Sequence, residues 1–274
     1  MTAVCAPVLI AALLWGGWLR FQDGALPWQN NPGGLSGVPA VQNKYYDAAG
    51  RRLFTVYPEP QAEAGKKAGY MFHFDEPFAA YAGKTLTLQA VHPATGAKEA
   101  LSSEVIAQPS SGYASLERYT ARFVLPLAGL WDLNVLLDGK LYGQVRLSMN
   151  EPSWDITPEF RSGAYMMRGI ESEVGFIDAG FVAGKGQKYM WHFWGDDALL
   201  NGPFVLKAVK QGSDELIDVF GSAQWSSANA LSGKLNGADR TAVTTMTLPE
   251  AGRWRLLPYV QGRLLDTIVV EVSE

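Results

Sequence analysis

The sequence predicts an all-β protein made of two tandem β-sandwiches. The first observation is an internal repeat: LPLAGLWDL at residues 125–133 returns as LPEAGRWRL at residues 248–256. A second repeat agrees with it, since YMFHF at residues 70–74 returns as YMWHF at residues 189–193. Two repeats at nearly the same spacing indicate two related structural units. The third observation is composition: 29 glycines and 15 prolines in a chain with only 18% charged residues suit short strands joined by turns.

Composition and charge exclude several classes of protein. The chain has 274 residues, enough for two domains, and its 47% apolar content is too high for a disordered protein. The net charge of −4 gives no basic footprint for nucleic acid. Cys5 is the single cysteine of the sequence, so the folded units are predicted to hold together without an intramolecular disulfide.

The chain opens with an uncharged apolar run from Ala3 to Leu19, closed by Arg20. Its length is at the lower limit for a membrane-spanning helix. We predict that residues 1–20 form an uncleaved membrane anchor; a cleaved signal peptide and a buried helix are the alternatives. The absence of a positive n-region and of a clean cleavage site favours the anchor. Residues 21–42 have no hydrophobic periodicity and are predicted to be a flexible tether.

Residues 43–150 are predicted to form the first domain, because strand-like segments and turns alternate through them. The segment 85–91 is the clearest strand, since apolar residues alternate strictly with polar ones. The dipeptide Asp138-Gly139 predicts a two-residue hairpin, because both positions of a type I′ turn need a positive φ. The predicted strands are 53–57, 70–74, 85–91, 119–125, 131–137 and 140–149.

Residues 151–274 are predicted to form the second domain, which begins at the proline-containing joint 151–154. The dipeptide at residues 261–262 stands where the first hairpin turn stood. Pro258 departs from the first copy and predicts a bulge or an edge, because proline has no N–H for the ladder. The predicted strands are 175–177, 189–194, 204–209, 241–248, 254–260 and 264–272.

The repeated nonapeptide resembles the E–F corner of immunoglobulin-like domains. In that corner an aromatic residue at the start of a strand packs beneath a tight turn. The resemblance implies tandem Ig-like sandwiches in which Trp131 and Trp254 are structural. Leu133 and Leu256 stand where antibody domains have the second cysteine, so the disulfide of those domains is absent.

The second half of the chain also resembles uncharacterised membrane-anchored or lipoprotein-type surface proteins of Bacillus-like bacteria. The resemblance covers chiefly residues 160–274 and is carried by QKYMWHFWG at residues 187–195 and by the second nonapeptide. It implies an extracytoplasmic location and no known activity. We therefore expect the chain at the cell membrane, held through its N-terminal segment, with its bulk outside the cytoplasm.

Two histidines are the ionisable residues placed identically in both units. In strand geometry His192 shares a face with Met190 and Trp194, and His73 shares a face with Met71. We interpret His73 and His192 as structural residues, each held by one backbone hydrogen bond. No group of His, Cys or carboxylates has the spacing of metal ligands, so neither a metal nor another cofactor is predicted.

Catalytic signatures are missing from the sequence. Asp196-Asp197 offers the two carboxylates of a glycoside hydrolase, but adjacent residues at a strand end point apart, which favours a turn. Neither the nucleophile-elbow motif nor the phosphate-binding loop motif occurs. We predict that the protein is not an enzyme.

If one unit has a ligand-binding site, it is expected in the second unit, at Trp194, Asp196, Asp197 and Trp225. Trp194 replaces Asp75 of the first unit, so the shared fold does not require an aromatic residue there. Trp225 lies in a long polar loop. Exposed tryptophans offer flat apolar faces to a sugar or to a protein.

Three functions remain open from the sequence. The first is a surface protein whose Ig-like modules bind a partner protein or act as spacers. The second is a carbohydrate-binding module for cell-wall glycan. The third is the sensing ectodomain of a membrane signalling protein.

Overall fold

The computed structural model describes residues 41–220 and 231–274. The predicted anchor and all but the end of the predicted tether lie outside the described residues. Within the described ranges no helix is long and apolar enough to cross a membrane.

The chain is all-β, as predicted. Residues 43–150 contain eight strands: β1 Lys44–Tyr46, β2 Arg52–Pro58, β3 Ala68–Phe74, β4 Thr85–Val91, β5 Lys98–Val105, β6 Tyr119–Phe123, β7 Gly129–Leu137 and β8 Lys140–Met149. The remaining strands are β9 Glu159–Ser162, β10 Tyr165–Ile170, β11 Val174–Phe176, β12 Phe181–Val182, β13 Gln187–Phe193, β14 Phe204–Lys210, β15 Ile217–Asp218, β16 Arg240–Met246, β17 Gly252–Val260, β18 Arg263–Leu264 and β19 Ile268–Ser273. A short helix, α1, spans Asp197–Leu200.

The first lobe, β1–β8, consists of two four-stranded sheets with the orders β1-β2-β3-β6 and β5-β4-β7-β8. Its core lies between them, because each central strand turns alternate apolar residues inward. In β3, for example, Tyr70, Phe72 and Phe74 are buried while Met71 and His73 are half-buried.

The second lobe, β9–β19, repeats this plan with added strands. One sheet has the order β16-β13-β11-β10-β9, and the other has the order β12-β19-β17-β14-β15 with β18 paired to β17. Strands β13, β14, β16 and β17 take the places of β3, β4, β6 and β7. A separate core lies between these sheets and contains Phe176, Trp191, Phe204 and Leu256.

The repeated nonapeptide forms the same corner in both lobes. Trp131 donates its indole N–H to the carbonyl of Leu127 at 2.8 Å, and Trp254 donates to the carbonyl of Glu250 at 2.9 Å. Both rings are buried, with 0% and 4% exposure. The glycine two residues before each tryptophan has φ of 99° and 113°, a conformation that other residues adopt only with strain. In the Ala-Gly-x-Trp pattern, the glycine therefore allows the turn and the tryptophan fills the core beneath it.

Both hairpin turns have the positive φ values that a type I′ turn requires. Asp138 and Gly139 have φ of 48° and 75°, and Gln261 and Gly262 have φ of 54° and 72°. The dipeptides thus fix the register of β7 with β8 and of β17 with β18.

The last predicted strand, 264–272, is wrong as a continuous element. Tyr259 and Val260 pair with β18, whereas residues 252–256 pair with β19, so the chain leaves the ladder between the two. Pro258 lies at this break, and its carbonyl accepts from the N–H of Leu265 at 3.1 Å. The N and C=O groups of a strand residue point to the same side of the strand. The nitrogen of Pro258 therefore faces the break, as its carbonyl does, and its missing N–H costs no hydrogen bond of the ladder. The predicted irregularity at Pro258 is confirmed.

Several strands escaped the sequence analysis. Strand β5 reads KEALSSEV, which has too few apolar residues for a strand pattern, and β1, β12 and β15 are two or three residues long. Only two of the ten residues in the strands of the β9–β10 hairpin are buried. These strands owe their pairing to neighbouring edges and not to their own periodicity.

Several side-chain hydrogen bonds join the two lobes. The hydroxyl of Tyr259 donates to Glu99 at 2.8 Å, and the hydroxyl of Thr267 donates to the carbonyl of Gly65 at 2.6 Å. The joint 151–158 lies along the second lobe, where the guanidinium of Arg255 is 4.2 Å from the ring centre of Trp154. The domain boundary at this joint stays a prediction.

Candidate binding site

A cleft of about 360 Å³ lies between the lobes. The first lobe contributes the edge strands β5 and β6, and the second contributes β18 and the segment around α1. The lining residues are Lys67, Glu99, Ala100, Leu101, Arg122, Phe123, Val124, Glu173, Trp194, Leu199, Arg263, Leu264 and Leu265. We refer to this space as the interlobe cleft.

The break at Pro258 forms one wall of the interlobe cleft. Because residues 265–267 leave the ladder, they reach the first lobe, where Thr267 binds Gly65. Leu264 and Leu265 come to line the cleft beside this contact. A departure of the second copy from the repeat thus produces a surface that the first copy does not have.

Trp194, predicted as a binding residue, lies in the wall of the interlobe cleft. It is half-buried, and its indole N–H donates to the carbonyl of Gly237 at 2.8 Å. Its ring meets that of Phe160 edge to face, with centroids 5.7 Å apart. These contacts fix the orientation of the ring, so Trp194 is a rigid wall residue and not the freely exposed tryptophan that the sequence analysis described.

Asp196 and Asp197 are not part of the cleft lining; one caps a helix and the other forms an ion pair. Asp196 is the N-cap of α1, where its carboxylate accepts from the N–H of Leu199 at 2.9 Å. Asp197 pairs with Arg240 at 2.5 Å, although its side chain is 82% exposed. The cap positions Leu199 in the cleft wall. The predicted turn at this dipeptide is therefore the start of a short helix.

Trp225, the fourth predicted site residue, lies outside the described residues. The structure brings Trp194 and the Asp196-capped helix together at the interlobe cleft, and it places no other predicted site residue in the lining.

The two repeated histidines differ in their surroundings. His73 is half-buried, with Nδ1 3.1 Å from the carbonyl oxygen of Glu117, as the predicted backbone hydrogen bond requires. His192 is completely buried, and its Nε2 lies 3.1 Å from the side-chain amide of Asn236. Burial lowers the pKa of His192 because the charged ring would lose its hydration. Among residues 41–220 and 231–274, no group of three or more His, Cys, Asp or Glu could hold a metal.

Three cations line the interlobe cleft, and the sequence analysis missed all of them. Lys67 pairs with Glu173 across the lobes at 2.5 Å. Arg122 and Arg263 are exposed, and neither guanidinium group has an ion-pair or hydrogen-bond partner among the described residues. No sequence signal links these two arginines, because they come from β6 and β18 and only the packing of the lobes brings them to one cleft.

One acid of the cleft is buried. Glu99 is 4% exposed and accepts a hydrogen bond from Tyr259, while the ammonium of Lys207 lies 5.7 Å from the centre of the Tyr259 ring. Burial raises the pKa of Glu99 to about 7, against the lowering effects of the Tyr259 hydrogen bond and of Lys207. The carboxyl group is therefore largely uncharged in mildly acidic solution.

Comparison with known proteins gives one family match. A family model described as a domain of unknown function (DUF4871) matches residues 145–270, which span nearly all of the second lobe. The resemblance predicted for residues 160–274 falls in the same part of the chain. No curated protein matches the sequence.

Two solved structures are similar to parts of the chain. One is a candidate lipoprotein from Bacillus anthracis, which is 26% identical over 44% of this chain and 87% of its own, with a TM-score of 0.37. The other consists of domains 5–6 of the S-layer protein SbsC, which is 12% identical over 80% of this chain and 97% of its own, with a TM-score of 0.20.

Proposed function

We propose that this protein is a non-enzymatic, extracytoplasmic surface protein whose two Ig-like β-sandwiches bind a ligand in the interlobe cleft. The observation that carries the proposal is the position of Trp194. Trp194 directly follows the second pentapeptide, at the position that Asp75 has in the first lobe, and it lines the interlobe cleft. Clefts of this size between packed lobes are the usual place for small ligands.

The Ig-like assignment is supported by the strand order and by the corners. Each lobe places the strand of its pentapeptide and the strand of its nonapeptide in opposite sheets. Each nonapeptide tryptophan binds the carbonyl four residues upstream, as the corner tyrosine of Ig-like domains binds upstream backbone. The apolar run 3–19 supports attachment to the membrane.

A carbohydrate is the second candidate ligand, and the aromatic wall at Trp194 favours it over a spacer role. A spacer would need rigid lobes but no lined cleft.

The test uses a bulky substitution that fills the interlobe cleft. The full-length chain is screened on glycan arrays and against purified surface proteins, and each hit is repeated with Leu264→Trp. Leu141→Trp is the matched control, because Leu141 is 39% exposed and lies on β8 away from the cleft. Binding should be lost in the first variant and kept in the second. A hit that survives Leu264→Trp would place the site elsewhere, and no hit at all would leave the spacer role as the better account.

A further inference from the structure

We propose that the interlobe cleft binds an acidic saccharide, with its carboxylates on Arg122 and Arg263 and a sugar ring against Trp194. This inference rests on the proposed function and names the ligand class of the same cleft.

The first step is the charge of the lining. The Lys67 and Glu173 side chains neutralise each other, whereas the guanidinium groups of Arg122 and Arg263 have no partner among the described residues. A guanidinium presents a planar fork of donors that matches a carboxylate, and such charge-assisted hydrogen bonds are stronger than neutral ones. Two unpaired guanidiniums in one cleft favour an anionic ligand.

The second step concerns the remaining acid. Glu99 would oppose an anion if it were charged and open to solvent. It is buried, and the hydroxyl of Tyr259 binds its carboxyl group. Since burial also raises its pKa to about 7, Glu99 cancels little of the positive charge in mildly acidic solution.

The third step is the aromatic wall. The hydrogen bond to Gly237 and the edge of Phe160 hold the Trp194 ring in place, so binding costs little side-chain entropy. With Leu199 and Leu264 the ring offers an apolar surface to the C–H face of a sugar.

The size of the cleft argues against a protein as its main occupant. A stable protein interface buries on the order of 1,200 Å² or more in total. A volume of about 360 Å³ is at the small-ligand end of binding sites. A sugar ring that carries carboxylate groups fits both the volume and the lining.

The experiment compares trigalacturonate with its methyl ester, which has the same rings without the charges. Binding to the full-length chain is measured by calorimetry at pH 6, at low and at moderate salt. The variants are Arg122→Gln and Arg263→Gln. Arg161→Gln is the matched control, because Arg161 is an exposed arginine on β9 outside the cleft. Inorganic phosphate serves as an anion without a sugar.

We expect the acid to bind at least about tenfold more tightly than the ester, and each cleft arginine variant to lose about tenfold in affinity. Salt should weaken binding, and Arg161→Gln should leave it unchanged. Equal binding of acid and ester, unaffected by the arginine variants but lost in Leu264→Trp, would overturn the acidic ligand and leave the proposed function standing. Arginine-dependent binding of phosphate without binding of the saccharide would contradict the proposal that the ligand is a saccharide. No binding of any probe would also overturn the inference.

Discussion

The two copies of the pentapeptide strand, β3 and β13, have the same inner face and different outer faces. On both strands the inward residues are aromatic and buried in the core. On the outer face of β3, His73 is half-buried and Asp75 follows it, paired with Arg52 at 2.5 Å. On the outer face of β13, His192 is buried and is followed by Trp194 in the cleft wall.

The difference shows where a duplicated sandwich can change without losing its fold. The inner face is fixed by the core, whereas the outer face of the second copy is partly covered by Phe160, which contacts Trp194, and by Asn236, which contacts His192. Gly175, opposite His192 in the sheet, leaves room for this cover, because a Cβ at that position would lie 2.9 Å from the ring of Phe160. The same ring then holds the edge of Trp194. Function is proposed on the face that the core leaves free.

The largest expected effect is on stability, and it tests the corner that both copies share. Trp131→Ala and Trp254→Ala should each lower the free energy of unfolding by ~3–5 kcal/mol, because both truncate a buried indole and break its backbone hydrogen bond. Chemical denaturation of each variant measures this. Val243→Ala is a control on the exposed face of β16. A loss under about 1 kcal/mol in either tryptophan variant would show that this copy does not depend on its corner.

The next effect is a pH dependence of stability that arises at the contact between the lobes. The pKa of Glu99 is raised to about 7 by burial, so the unfolded chain ionises this group at lower pH than the folded chain does. Its stabilising effect is therefore complete below about pH 4.5 and is lost as pH rises through about 7, a change of roughly 3 kcal/mol.

Glu99→Gln should remove this part of the pH dependence, measured as unfolding free energy from pH 4 to pH 8. The exposed Glu171→Gln should keep it. Identical pH curves for wild type and Glu99→Gln would mean that Glu99 is hydrated in solution and that the contact with Tyr259 is open.

The smallest effect comes from His192. The folded-state pKa of His192 is lowered by burial, so its contribution is complete above the unfolded value near 6.5 and is lost as pH falls through that range. His192→Asn should flatten this acid-side loss, because asparagine does not titrate in this range. Thermal unfolding between pH 5 and pH 8 measures it. A protonated His192 in the folded protein at pH 6, seen by NMR, would contradict the claim that burial lowers its pKa.

The sequence predicted the parts of the fold that repeat. The aromatic periodicity of β3 and β13, the corners and the two hairpin dipeptides each have a local physical cause that is visible in the residues. Strand β5 could not be found this way, since it is polar and is held by pairing with β4. Pro258 was recognised as irregular, but its effect, the release of residues 265–267 toward the first lobe, depends on tertiary packing.

The candidate site was predictable only in its second-lobe half. Trp194 emerged from comparing the copies, because a tryptophan stood where the repeat had Asp75. Arg122 and Arg263 gave no signal, since exposed arginines are common and these two meet only through the packing of the lobes.

The most direct test of the binding site is the indole N–H spectrum of the full-length chain during titration with trigalacturonate. The tryptophan signals are assigned with single Trp→Phe variants. We predict that the signal of Trp194 shifts progressively, because its ring lines the interlobe cleft and its N–H is fixed on Gly237. The signals of the buried corner residues Trp131 and Trp254 should stay in place. A titration that moves other tryptophan signals and leaves that of Trp194 unchanged would contradict the account.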